Sequence, residues 1–154
     1  LGMTPIEVGS VYPSISMSGP PTARQTGRIR IGNGDYSISF MEPEAGRKSY
    51  RIHYTEIFSD FTEREVLERL SKKFGPPEVN QCGPQTTMTG WVCRLRWLRP
   101  DSVVMDAETR SIQTAQGIQA TSLQFTALNR RTQAHLEITA LPRLQAVSSA
   151  ARGL

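Results

Sequence analysis

The stretch RIRIGNGDYSISF, residues 28–40, alternates apolar and polar side chains on both sides of a glycine-rich turn. Ile29 and Ile31 alternate with Arg28 and Arg30. Beyond Gly32-Asn33-Gly34, Tyr36, Ile38 and Phe40 fall on one face, with Ser37 and Ser39 opposite. A period of two marks half-buried strands, and Asn-Gly between two such runs is the turn of an antiparallel hairpin. The pattern continues outward. After a looser turn at 42–48, Tyr50, Ile52 and Tyr54 alternate with Arg51, His53 and Thr55. Farther on, Trp91, Cys93, Leu95 and Trp97 share one face and Arg94 and Arg96 the other. Residues 102–106, 121–128 and 134–141 are further candidate strands. The last two are expected to form a hairpin around the polar turn 129–132, with Leu123, Phe125, Leu136 and Ile138 in the core. The polar stretch 108–119 reads as a long loop or ragged strand, and residues beyond Pro142 as an Ala/Ser-rich tail.

Two near-identical hexapeptides, MTPIEV at 3–8 and FTEREV at 61–66, read as helix starts. Thr4 and Thr62 are caps, Glu7 and Glu65 take the acid position of a capping box, and Pro5 suits the first helical turn. Met3 with Val8, and Phe61 with Val66, have the spacing of a hydrophobic staple. Each start is followed by Gly-Pro-Pro, at 19–21 and 75–77, which terminates a helix. The second helix carries an apolar stripe of Val66, Leu67, Leu70 and Phe74. The first is shorter and ends by Pro13.

Each half thus reads as a helix followed by about three antiparallel strands. The expected fold class is α+β, two related helix-plus-antiparallel-sheet modules in two layers. Their expected bounds are 1–58 and 59–141, with a tail at 142–154. The halves could share one continuous sheet or stand in tandem. The second copy reaches its strand later than the first, so NQCGPQTTMT at 80–89 reads as an insertion. Cys82 lies in it and Cys93 in the strand it feeds. A disulfide between them would staple the loop to its own sheet and point to an oxidising compartment; two free buried thiols are the alternative. Zinc is not expected, because His53 and His135 lack ligand spacing to the cysteines.

The chain has 154 residues and a formal charge of +4, enough for one ordinary domain or two very small ones. No apolar run approaches the roughly 18–20 residues of a membrane-spanning helix. Leu1 is not an initiator methionine, so either a signal segment has been removed or the chain is an excised piece. The basic residues are mostly arginine and are spread along the chain, which suits a solvated basic surface with a mild preference for acidic partners.

The elements Gly2-Met3-Thr4 with Val8, then Gly19 with Pro21, resemble the opening of a group of small bacterial envelope modules. These are the SmpA/OmlA (BamE-like) lipoproteins and the tandem-module β-lactamase inhibitor protein. In the second copy Thr62, Val66, Gly75 and Pro77 match, while Asp60 and Phe61 replace the glycine and methionine. The resemblance implies an exported, non-catalytic protein that binds another envelope protein through a sheet face or loops. The matching residues are structural, so no binding residue carries over. No lipobox cysteine is present to imply a lipid anchor.

No G-x-S-x-G elbow, H-E-x-x-H pair, Walker loop or C-x-x-C occurs, and no catalytic residue, cofactor or metal is expected. His53 reads as a solvated strand histidine, and Asp101, Asp106 and Glu108 as loop acids. If one sheet face packs on helices, the other carries Arg28, Arg30, Arg51, Arg94 and Arg96, a surface for an acidic partner. Nucleic acid is the poorer fit, because the aromatics alternate onto the apolar face rather than this one. The competing reading is a small enzyme with a site between the two halves.

Overall fold

A computed structural model describes residues 1–86, 90–113 and 115–134. A short helix α1 (Pro5–Val11) leads into strands β1 (Ser16–Ser18), β2 (Thr26–Ile31), β3 (Gly34–Phe40) and β4 (Ser49–Phe58). A longer helix α2 (Glu63–Phe74) leads into β5 (Val79–Pro84), β6 (Trp91–Leu98), β7 (Val103–Gln113) and β8 (Gln119–Asn129). Both helices begin as their sequences require. Thr4 and Thr62 accept from the backbone N–H of Glu7 and Glu65, and those glutamates accept from the threonine N–H at 2.7 and 2.8 Å. These hydrogen bonds to the charged form hold both carboxyls below the usual range.

The strands do not form two modules. They make one eight-stranded antiparallel sheet in the order β1-β2-β3-β4-β8-β7-β6-β5. The expectation of two two-layer helix-plus-sheet modules is therefore corrected. Neither half closes its own edge: β4 pairs with β8 from Arg51↔Leu128 to Phe58↔Thr121, joining the halves along a seam of continuous hydrogen bonding. Nor is α1 a covering layer, since only Val8 of its seven residues is buried. Alternation shows which face a residue takes but not which strand lies beside it.

Two local expectations change as well. Residues 79–84, within and beside the expected insertion, are edge strand β5. Of the two readings of 108–119, loop or ragged strand, residues 108–113 take the second, as the latter half of β7. The expected hairpin turn at 129–132 is absent, because residues 130–134 are helical; the strand expected at 134–141, His135 and the tail lie outside the described residues.

One sheet face carries the core. Under α2, Val66, Leu95, Trp97, Met105, Ala107 and Leu123 are buried together, flanked by Phe74, Phe125 and Tyr54. Under α1, Val8 packs with Ile38 and Phe40 beside Met17 and Ile52. The Tyr54 ring lies over Gly34 so closely that a Cβ there would sit 2.3 Å from it. Trp91, expected on the buried face, lies on that side of the sheet but is 55% exposed at its end.

Thr109 is fully buried, and its hydroxyl has no hydrogen-bond partner among the described residues. Burying an unpaired hydroxyl costs about 1–3 kcal/mol, while an isosteric methyl does not. Thr109→Val is therefore expected to raise stability by about 1 kcal/mol in urea unfolding. A loss of that size instead would mean the hydroxyl is satisfied in solution.

Candidate binding face

The opposite face of the sheet is polar, and strand pairing orders it into rows. One row runs Arg28, Ser37, His53, Thr126, Asp106, Arg96, Val79 from β2 to β5. The next runs Arg30, Asp35, Thr55, Gln124, Glu108, Arg94, Gln81. A third runs Thr26, Ser39, Arg51, Leu128, Val104, Leu98 from β2 to β6. All five arginines expected on the uncovered face are brought onto it. His53 stands at the centre, on the seam, and borders two open hollows.

The first hollow, about 600 Å³, is lined by Arg28, Arg30, Asp35, Ser37, His53 and Thr55, with Ser14 at its margin. The second, about 500 Å³, is lined by His53, Gln81, Arg94, Arg96, Asp106 and Glu108, with Gln124 and Thr126. At the β8 C-terminal end the face is closed off. There Val104 is buried, and a smaller hollow lies between Leu98, Arg130, Arg131 and Ala134.

The charges are arranged differently in the two hollows. Arg96 makes a two-pronged pair with Asp106, at 2.6 and 3.1 Å. Glu108 accepts from Arg110 at 2.5 Å and from Arg94 at 2.8 Å. Its carboxyl is held below the usual range, first by the Arg110 hydrogen bond and then by Arg94. On the other side of the seam the ion pairs among the described residues are Arg30 with Asp35, at 3.9 Å, and, outside the lining of the hollow, Arg24 with Glu42, at 3.0 Å. Arg28 and Arg51 have no ion-pair partner among the described residues. Asp106 and Glu108, expected as loop acids, belong to this face because β7 runs on through residue 113. The alternation Asp106, Glu108, Arg110 was the signal that could have placed them.

His53 is partly buried rather than fully solvated, and its Nδ1 lies 2.9 Å from the Thr126 hydroxyl. Burial pushes its pKa down, and the neighbouring Arg51 charge pushes in the same direction. Below the ordinary histidine value of about 6.5 the unfolded chain therefore binds this proton more readily than the folded one. Stability should fall as pH drops through the window beneath 6.5 and level off under the folded value. Arg51, Arg28, Ser37, Thr126 and Asp106 surround the ring in the rows described. Urea midpoints between pH 5 and 8 check this, with His53→Gln expected to remove part of the slope; identical slopes would refute it.

No family model, curated protein or solved structure matches this chain. Its function is therefore argued from the face itself. Among the described residues no group of three or more His, Cys, Asp or Glu could hold a metal ion, and no helix is long and apolar enough to cross a membrane. Cys82 and Cys93 lie directly opposite each other on β5 and β6 and form a disulfide.

Proposed function

We propose that this protein is a non-catalytic binding module that engages another protein of the bacterial envelope through the polar sheet face. The carrying observation is that Arg28, Arg30, Arg51, Arg94 and Arg96 share one broad face with His53 at its centre. Neither hollow is enclosed, which suits a macromolecular surface better than a sequestered substrate. Arginine, with its planar five-donor fork, suits such contacts. The disulfide supports work in an oxidising compartment such as the periplasm. Tyr54 and Trp97 pack in the core under α2 and the Tyr36 ring lies beside that of Tyr54, so among the described residues the rings sit poorly for stacking single-stranded nucleic acid on the arginine face.

The test is site-specific photo-crosslinking in a native envelope extract. A photoreactive residue at Ser37, on the face, should yield a discrete protein adduct that the same residue at Lys72, on the exposed side of α2, does not. Equal labelling from both positions, or none from Ser37, would remove this reading.

A further inference from the structure

The two hollows differ in how far their arginines are neutralised. Around the second, Arg94, Arg96 and Arg110 are already occupied by Asp106 and Glu108. What it still offers is uncharged hydrogen bonding from Gln81, Gln124 and Thr126. Arg28 and Ser37 line the first; Arg51 lies outside that lining, on the other side of β3 and across from Ser39. Strands about 4.8 Å apart place these two strands roughly 10 Å from each other, with the serine hydroxyls between. Two arginine forks flanking hydroxyl donors make a cradle for a planar anion.

We propose that the β2–β3–β4 flank is a carboxylate subsite for acidic side chains of a partner polypeptide, and that the β8–β7–β6 flank takes an adjoining uncharged polar segment. This rests on the protein-binding reading above and specifies the partner's chemistry. A uniformly charged polyanion fits less well, because at its far end Arg94, Arg96 and Arg110 are already held by Asp106 and Glu108. The row from Arg28 to Arg96 crosses six strands, roughly 24 Å, which about seven residues of extended chain would span.

Fluorescence anisotropy with synthetic octapeptides tests it. The probe has glutamate in its first four positions and serine, asparagine and glutamine in its last four. It should bind at least about tenfold more tightly than a version with glutamine in the first four, as expected for charge-assisted pairs with two arginines. Replacing Arg28 and Arg51 together by glutamine should abolish that difference. Removing an ion pair away from the face, Arg64→Gln with Glu68→Gln on α2, should change affinity by less than about threefold. Matching thermal melts would show that the variants fold. Equal binding of the two peptides would overturn the carboxylate subsite, as would tighter binding of the all-glutamate octapeptide or of a sulfated octasaccharide. The photo-crosslink from Ser37 is a separate readout. Its persistence alongside peptide failure would leave protein binding standing and remove only the subsite.

Discussion

Trp97→Ala is expected to destabilise the protein by about 3–5 kcal/mol, the range for truncating a fully buried large aromatic. Trp97 is 1% exposed and lies at the centre of the α2 core. Its ring centroid is 5.8 Å from Phe74 and 6.5 Å from Phe125, which stack on each other at 5.2 Å. Alanine would leave a cavity bounded on one side by a helix and on the other by paired strands, neither free to collapse. The indole also has a polar duty. Its Nε1–H donates to the Gly75 carbonyl at 2.8 Å, at the end of α2, where Gly75 holds a left-handed φ of 83°. Trp97→Phe separates the two roles. It retains much of the ring volume but orphans that carbonyl, at a cost of about 1–3 kcal/mol. Denaturant titration of the three proteins should rank wild type above phenylalanine above alanine. Alanine within about 1 kcal/mol of wild type would mean the core repacks, contrary to the close packing expected of an interior.

Opening the Cys82–Cys93 bond is the second large effect. The cysteines are 11 residues apart, and closing a loop of that size stabilises by roughly 3 kcal/mol in the chain-entropy account. The location adds to this. β5 is one of the sheet's two outer strands, its residues are mostly exposed, and among the described residues its one strand neighbour is β6. A Cys82→Ser, Cys93→Ala variant should lose roughly 2–3 kcal/mol. The loss should also be local, with amide exchange along β5 accelerating before that of β7 and β8. Unchanged protection along β5 would show that its hydrogen bonds to β6 suffice without the bond.

Much of this was legible from local chemistry. The capping boxes at Thr4 and Thr62, the hairpin at 28–40, the cysteine pairing and the face shared by the five arginines each depend on neighbours a few residues away. What was not legible depends on distant ones. Nothing in the alternation of Arg51, His53 and Thr55 says that Leu128, Thr126 and Gln124 lie beside them, so two halves that read alike were taken for two modules. β5 was hidden because NQCGP contains residues typical of loops, although an edge strand tolerates its proline. β7 was cut short because Thr109 and Ser111 are polar, yet both are buried. The carboxylate half of the arginine face was lost with it.

The seam between β4 and β8 has a consequence for how the molecule comes into being. Its central contact joins His53 and Thr126, 73 residues apart. The strand that completes the middle of the sheet is the last of the eight to be synthesised. Until it arrives, β4 and β7 present raw edges, so the protein must stay shielded from other chains while it waits. Such distant pairing also makes folding slow. The first hollow is built from residues 14–55 alone, whereas the second needs Gln124 and Thr126 of β8, so only a ligand that spans both would single out a chain that has finished assembling.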